Sequence, residues 1–341
     1  MANMSWEIHG HGWAADLLGK HIANGKLRHA YMFSGPRGVG RRTLALRLAQ
    51  AVNCAQPIAP GQPCGTCKTC AQIDRMQHPD LTIVESEEDS SVLKVDQVRE
   101  LQHFLSLAPF EGNYRVALLR NFEEANASAQ NALLKTLEEP NPKVVLVVTV
   151  DDAENLLPTI TSRCELLRLR PMAVEDLKEI LVADGANDNR ANLVAHLSGG
   201  RPGYARRLMD NPELLNARGE YLEELFGLLG DSITGRFQYS ALLTRGKNKR
   251  KPRAKAKEEI LPRMELWLSF WRDVLLTRSG GRTEITNIDR EQDIRAVAKA
   301  VRTPEIAAVM RQLEHAFVRI QSANLQLLTD NLLMDWPVVK I

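Results

Sequence analysis

Hydrophobic and polar positions change their spacing partway along the chain. The run 144–150 is apolar throughout, which is typical of a strand buried on both faces of a sheet. Strands that alternate with helices over short connections predict a parallel sheet covered on both sides, and hence an α/β domain. The predicted strands, separated by segments of helical periodicity, lie at residues 29–34, 81–84, 114–119, 144–150 and 166–169.

After Pro171 the strand signals stop and helical periodicity takes over. Two short helices broken by the glycine-rich stretch 199–203 predict a small helical domain over 171–210. Longer amphipathic segments then predict an all-helical third domain over 211–341. The expected domains are therefore 1–170, 171–210 and 211–341. The predicted helices lie at 5–28, 44–53, 95–107, 127–138, 156–161, 174–184, 189–198, 214–229, 260–277, 290–301 and 304–336.

The composition restricts the class of protein but does not identify a function. A chain of 341 residues with 44% hydrophobic residues has room for two or three domains. A net charge of +2 indicates no global preference for nucleic acid, so a basic function would have to be local. No apolar run approaches the roughly 20 residues of a membrane helix, and residues 1–13 lack a secretory signal, so we expect a cytoplasmic protein with no membrane partner.

A glycine-rich turn at 35–40 stands between the first predicted strand and the next helix. Its glycines are Gly35, Gly38 and Gly40. A turn of this kind is the geometry of a phosphate-binding loop, in which backbone N–H groups and the helix N-terminus converge on an anion.

The residues that follow the turn depart from the phosphate-loop pattern. That pattern requires Lys and then Ser or Thr after the last glycine, but the chain has Arg41 and Arg42. Arginine is not a like-for-like replacement for the lysine, and an arginine in the hydroxyl position cannot bind Mg²⁺. Thr43 is one residue late, so its side chain points about 100° away on the helix.

Four of the five cysteines fall within a short stretch. Cys54, Cys64, Cys67 and Cys70 form the pattern C-x9-C-x2-C-x2-C across a loop-rich segment. In a reducing compartment such clustering favours a metal over disulfides. Four thiolates suit a structural, tetrahedral Zn²⁺ with no open position for water, which makes residues 54–70 a predicted zinc module. The alternative is four cysteines that pack as small apolar residues without a metal.

The segment 245–257 is strongly basic and has almost no apolar residues. This composition predicts a disordered loop. It has two interpretations, a solvated loop or a weak contact with nucleic acid through phosphates.

Several motifs occur together in one order along residues 5–210. They are His29-Ala30-Tyr31, the glycine turn, the four cysteines, the stretch NALLKTLEEP at 131–140 and the stretch LLPTITSRC at 156–164. On these motifs the chain resembles the delta-prime family of clamp-loader subunits of bacterial DNA polymerase III. The two longer stretches are highly specific, and the remainder after residue 210 is similar in layout only.

The resemblance implies a RecA-like AAA+ domain, a small lid and a helical collar that holds five loader subunits in a ring. It also implies gamma/tau and delta subunits as partners, with the sliding clamp and primed DNA reached through the complex. In such assemblies ATP lies between subunits, and the arginine of Ser-Arg-Cys acts on the neighbour's γ-phosphate. That arginine is Arg163, with Ser162 orienting it; the alternative is an ordinary surface ion pair.

By the same resemblance, the chain's own ATP site lacks further parts. The family's metal-binding Asp-Glu pair falls on Arg120 and Asn121, and the lid's phosphate-sensing arginine falls near Gly203. Glu123 and Glu124 are not expected to substitute for the pair. We therefore predict a subunit that is not an ATPase by itself and does not bind ATP and Mg²⁺. The alternatives are an ATP-hydrolysing motor subunit like gamma/tau, and a zinc-containing nucleic-acid binder anchored by 245–257.

Overall fold

A computed structural model describes residues 6–86, 92–245, 252–281, 283–320 and 322–339. The chain divides into two compact units. The first comprises residues 1–173 and 200–204, and the second comprises residues 174–199 and 205–341. The predicted division into three domains stays a prediction.

The first unit is built on a parallel sheet, which confirms the predicted α/β, RecA-like domain. Its strands are β1 (Ala30–Ser34), β2 (Leu81–Val84), β3 (Arg115–Leu119), β4 (Val144–Val150) and β5 (Glu165–Arg168). They lie in the order β2-β3-β4-β1-β5, and every neighbouring pair is parallel. The sheet places β1 and β4 at its centre, so the loops after these two strands meet at its carboxyl edge.

Six helices accompany the sheet in this unit. They are α1 (Gly12–Ala23), α2 (Arg41–Asn53), α3 (Lys68–Asp74), α4 (Val95–Ser106), α5 (Ala127–Glu138) and α6 (Pro158–Thr161). Alternate residues of β4 enter different cores: Val145 and Val147 pack with α1 and α2, whereas Leu146 and Val148 pack with α4 and α5. The sequence of β4, which is apolar except for Thr149, follows from this burial on both faces.

The second unit is entirely helical in its described part. Its helices are α7 (Val174–Ala183), α8 (Asp188–Ser198), α9 (Pro202–Asp210, which begins in the first unit), α10 (Pro212–Gly230), α11 (Ile233–Arg245), α12 (Arg253–Ser279), α13 (Glu291–Ala300), α14 (Thr303–Arg319) and α15 (Leu325–Met334). One hydrophobic core joins α10 to α15 around Trp267, Trp271 and Trp336, whose rings meet edge to face.

Three helix predictions were wrong in their extent. The predicted helix over 5–28 is the shorter α1, which ends before Gly25, a residue with φ +64°. The predicted helix over 304–336 is broken, because Asn324 starts α15 by accepting the N–H groups of Gln326 and Leu327. The predicted helix over 260–277 is the longer α12, which already begins at Arg253.

Both ends of the basic segment 245–257 are helical. Arg245 ends α11 and residues 253–257 are the first turns of α12, so for them the predicted disorder was wrong. Residues 246–251, and with them much of the predicted nucleic-acid contact, lie outside the described residues. None of the helices in the described ranges is long and apolar enough to cross a membrane.

Candidate functional site

The glycine turn joins β1 to α2 at the carboxyl edge of the sheet. Gly35, Gly38 and Gly40 have φ of +152°, +84° and +116°, values that side chains with a Cβ rarely adopt. A Cβ on Gly35 would lie 2.2 Å from the carbonyl oxygen of Leu169. The backbone of the turn therefore requires glycine at these three positions, and its role as a phosphate-binding loop stays a prediction.

A segment of the same unit covers this turn. The N–H of Gly203 donates to the carbonyl oxygen of Gly38 over 2.8 Å. A Cβ on Gly38 would lie 2.8 Å from the Cβ of Tyr204, so the two segments are in tight contact. The resemblance places a phosphate-sensing arginine near Gly203, and Gly203 contacts the turn only through its backbone.

Arg41, the first residue of α2, is buried. Its Nη2 lies 2.7 Å from Oδ1 of Asp151 and 3.3 Å from Oδ1 of Asn121. Arg42 is exposed and directs Nη2 to the sulfur of Met76 at 3.0 Å. Arg41, at the position where a phosphate-binding loop has lysine, is thus paired with residues of its own chain. Arg42, at the position of the hydroxyl residue, points to Met76 instead.

A second arginine, Arg37 in the turn itself, contacts three carboxylates. Its Nη2 lies 2.7 Å from Oε1 of Glu124 and 3.9 Å from Oε1 of Glu123, and its Nε lies 3.5 Å from Oδ2 of Asp151. Together with Arg41 these residues form an ion-pair cluster at the mouth of the loop. We call it the loop cluster: Arg37, Arg41, Glu123, Glu124 and Asp151.

The least satisfied member of the loop cluster is Glu123. Both of its carboxylate oxygens are buried without a hydrogen-bond donor among the described residues. Burial raises the pKa of Glu123, and the negative charge of Asp151 raises it further, against the opposing effect of Arg41 and Arg37. The sequence prediction did not include Asp151 or Arg37, although Asp151 directly follows β4 and therefore reaches the same sheet edge as the glycine turn.

The positions that correspond to a metal-binding acid pair carry no carboxylate. Arg120 forms an ion pair with Glu85 at 2.5 Å, and Asn121 stands in the left-handed region with φ +50°. The Asn121 N–H donates to Oγ1 of Thr149 over 3.1 Å. Neither side chain offers the paired oxygen ligands that hold Mg²⁺ in a phosphate-loop enzyme.

Arg163 lies after α6, near the end of α5. Its Nη1 donates to the carbonyl oxygen of Thr159 over 2.9 Å, and its Nη2 lies 2.8 Å from Oε1 of Glu138. The Arg163 side chain is 36% exposed, which leaves part of the guanidinium accessible. Ser162 caps α6 and its hydroxyl donates to the carbonyl oxygen of Thr159, so it shares an acceptor with Arg163 without contacting it by hydrogen bond.

The four predicted zinc ligands converge. The sulfur atoms of Cys54, Cys64, Cys67 and Cys70 all lie within 4.8 Å of one another. The Cys54 sulfur is 3.5 Å from that of Cys64 and 3.9 Å from that of Cys67. A tetrahedral zinc site with Zn–S bonds of about 2.3 Å has S···S edges of about 3.8 Å, so the donor set fits one metal ion.

Backbone N–H groups surround this sulfur cluster. The N–H of Cys64 points to the Cys54 sulfur, that of Cys67 to the Cys64 sulfur and that of Cys70 to the Cys67 sulfur, at 3.4, 3.3 and 3.5 Å. The donor from Cys67 lowers the pKa of the Cys64 thiol to about 6, whereas burial raises that of Cys70. N–H donors of this kind stabilise thiolates, the form that binds a metal.

The chain is similar in sequence to subunits of DNA polymerase III. Residues 10–173 match the family described as "DNA polymerase III, delta subunit". A DNA polymerase III subunit delta' from Bacillus subtilis is 28% identical over 279 residues, which cover 82% of this chain and 81% of the relative. The corresponding subunit from Pseudomonas aeruginosa is 40% identical over 183 residues, 53% of this chain and 55% of the relative.

Two further similarities concern a tau subunit and a solved structure. A DNA polymerase III subunit tau from Escherichia coli is 34% identical over 191 residues, which span 52% of this chain and 29% of the relative. A solved DNA polymerase III gamma subunit-related protein from Thermotoga maritima superposes with a TM-score of 0.45 at 18% identity, covering 94% of this chain and 97% of that one.

The sheet and the glycine turn define an α/β chain whose relatives in sequence are subunits of DNA polymerase III. Among these relatives, the chain is similar to delta-prime subunits over most of its length at 28% identity and over about half of its length at 40% identity. The resemblance drawn from the sequence motifs is thereby confirmed.

Proposed function

We propose that the chain is a non-catalytic loader subunit that supplies Arg163 to the ATP site of a neighbouring subunit. The neighbours are of the gamma/tau and delta types, and the ring they form places a sliding clamp on primed DNA. The observation that carries this proposal is a contrast in exposure: the Arg163 side chain is 36% exposed, whereas the Arg41 side chain in the chain's own loop is 7% exposed.

Two features of the loop support the non-catalytic part of the proposal. Arg41 is buried and pairs with Asp151 and Asn121 through Nη2, and its planar guanidinium is not a like-for-like replacement for the lysine that serves the β- and γ-phosphates. Arg120 occupies a position where a carboxylate would hold Mg²⁺. Loss of both the phosphate ligand and the metal ligand accounts for a subunit that depends on its neighbours for ATP hydrolysis, and it disfavours the motor-subunit alternative.

The chemical role of Arg163 follows from its side chain. A guanidinium delivered from an adjacent subunit neutralises the negative charge that spreads over the γ-phosphoryl oxygens in the transition state. Because it has five N–H donors, it can keep contacts to its own chain and still donate to phosphate.

The test is a reconstituted loader that contains Arg163→Ala. We expect DNA-stimulated ATP hydrolysis and clamp loading to fall by about tenfold or more, since an arginine supplied in this way commonly accelerates hydrolysis by orders of magnitude. Arg170→Ala, which removes an exposed arginine after β5, is the matched control and should leave both rates unchanged. Unchanged rates with Arg163→Ala would rule out the proposed role.

We further propose that the metal of the cysteine module is Zn²⁺ and that it is structural. Cys54, Cys64, Cys67 and Cys70 would hold it as thiolates, and the ion would fix a loop-rich segment that has little core of its own. Metal analysis of the purified chain should find about one zinc per chain. Cys64→Ser should lower the zinc content and the thermal midpoint, whereas Cys164→Ser, at the fifth cysteine, should not; a metal-free chain with four titratable thiols would contradict the assignment.

The cytoplasmic location and the contacts with clamp and DNA stay predictions. Salt-dependent binding of DNA by the isolated chain would support a direct contact through the basic segment 245–257. No binding would leave that segment as a solvated part of the surface.

A further inference from the structure

Arg163 is held by two contacts that act on different nitrogens. Nη1 donates to the backbone carbonyl oxygen of Thr159, and Nη2 pairs with the carboxylate of Glu138. Both terminal nitrogens of the planar guanidinium are therefore directed by groups of the same chain. Two of the five N–H donors are used in this way, so donors remain for a phosphate oxygen.

Glu138 is placed for this contact by its helix. It is the last residue of α5, and Gln130 lies eight residues earlier, about two turns along the same face. Oε1 of Gln130 accepts the N–H of Leu157 at 3.2 Å, at the start of the segment that carries Arg163. One face of α5 thus holds both ends of the segment 157–163.

The segment is also fixed from its buried side. Ile160 in α6 is fully buried in the core that contains Leu133 and Leu137 of α5. The backbone around Arg163 therefore has a defined position relative to α5. Because the backbone is fixed, the freedom that remains is rotation of the Arg163 side chain, and Glu138 contacts that side chain.

We infer that Glu138 is a positioning residue for Arg163. Its carboxylate holds the guanidinium in the orientation in which Arg163 contacts the phosphate bound by the neighbouring subunit. This inference rests on the proposed function. A long side chain that is already oriented loses less conformational freedom when it binds than one that samples many rotamers. Glu138 itself does not touch the nucleotide, because it acts through the guanidinium.

The experiment uses the complete loader assembled with full-length variants of this chain. The variants are Glu138→Gln, Glu138→Asp, Glu139→Gln, Arg163→Ala and the double variant Glu138→Gln with Arg163→Ala. Glu139 is the matched control, because it is the adjacent exposed glutamate and forms no ion pair with Arg163. The readouts are kcat and KM of DNA-stimulated ATP hydrolysis, with assembly of each complex checked by gel filtration.

We expect Glu138→Gln to lower kcat by about fivefold with little change in KM, since misorientation of a catalytic group affects the chemical step. Glu138→Asp should restore part of the loss, and Glu139→Gln should behave as the unmodified chain. In the Arg163→Ala background, Glu138→Gln should have no further effect, because the two residues act as one unit.

The outcomes separate this inference from the proposed function. If Arg163→Ala lowers kcat but Glu138→Gln matches Glu139→Gln, then Arg163 acts without help from Glu138 and the inference is overturned. A fivefold loss that persists in the Arg163→Ala background would also overturn it, because Glu138 would then act elsewhere. If Arg163→Ala itself has no effect, the proposed function fails first.

Discussion

Arg41 and Arg163 lie in the same unit and form ion pairs of nearly equal length, yet their surroundings differ. Arg41 is 2.7 Å from Asp151 with a side chain that is 7% exposed, and Arg163 is 2.8 Å from Glu138 with a side chain that is 36% exposed. The distance between the charges therefore does not distinguish a structural arginine from one available to a partner. Accessibility does, because a phosphate on another chain can reach only an exposed guanidinium.

The largest effect is expected as a difference when each of the two arginines, Arg163 and Arg41, is replaced by lysine. Lysine retains the positive charge but lacks the planar fork. Arg163→Lys should lower DNA-stimulated ATP hydrolysis of the loader by about tenfold. Arg41→Lys should leave it unchanged, because Arg41 serves only its own chain. A loader with equal losses for the two substitutions would show that the loop also contributes to hydrolysis.

A second prediction concerns stability. Arg41→Ala removes the nearer of the two arginine partners of Asp151 and leaves the loop cluster with three carboxylates and one arginine. Breaking a fully buried pair costs about 3–5 kcal/mol, but Asp151 is 41% exposed, so we expect a loss of about 2 kcal/mol in the free energy of unfolding. Urea denaturation followed by circular dichroism measures it.

Arg42→Ala provides the control for that measurement. Arg42 is the next residue, is exposed and contacts only the sulfur of Met76 among the described residues. Its removal should change stability by about 0.5 kcal/mol or less. Similar losses at positions 41 and 42 would mean that the ion pair with Asp151 contributes little.

A smaller effect is expected at Glu123. The pKa of Glu123 is raised in the folded chain, so the folded state binds this proton more tightly than the unfolded state. Stability therefore falls as the pH rises from the unfolded pKa through the higher folded pKa. Glu123→Gln should remove that dependence and raise stability at neutral pH by less than about 1 kcal/mol.

The measurement for Glu123 is the urea midpoint as a function of pH, compared with Glu124→Gln. Glu124 accepts hydrogen bonds from Arg37 and Ser86, so its replacement should destabilise the chain instead. A loss of stability with Glu123→Gln would show that its carboxylate is needed by the loop cluster rather than tolerated there.

Much of the fold could be predicted because its signals are local. Each of the five strands is a short apolar run, and each was found within about a residue of its observed bounds. Helix α11 was missed because its buried face carries Arg236, Ser240 and Thr244, while Ile233 and Phe237 are exposed. These polar residues are satisfied by distant groups: Arg236 donates to the carbonyl oxygens of Leu333 and Trp336, which no local pattern reveals.

The same distinction applies to the candidate site. The glycine turn and the four cysteines could be selected from residue types and spacing, and Arg163 from the family resemblance of the motif that contains it. The partners Asp151 and Glu138 could not be selected in that way, because Asp151 meets Arg41 only through the sheet order and Glu138 meets Arg163 only through the packing of α5 and α6. Motifs therefore indicated the arginines, and only the structure distinguished their surroundings.

The smallest expected effect concerns Arg41 and Arg42 together. It tests whether these two residues alone make the loop differ from the site at Arg163. The double substitution Arg41→Lys with Arg42→Thr restores the side chains of a phosphate-binding loop. We expect it to bind no fluorescent ATP analogue with Mg²⁺ in the high-micromolar range, because the position that the resemblance assigns to a metal-binding acid still carries Arg120. Two like charges about 4 Å apart repel by about 4 kcal/mol at an effective dielectric constant near 20. Tight, Mg²⁺-dependent binding by this variant would mean that Arg41 and Arg42 alone prevent the loop from binding a nucleotide. Arg41 and Arg163 would then mark two sites that can each act on a nucleotide.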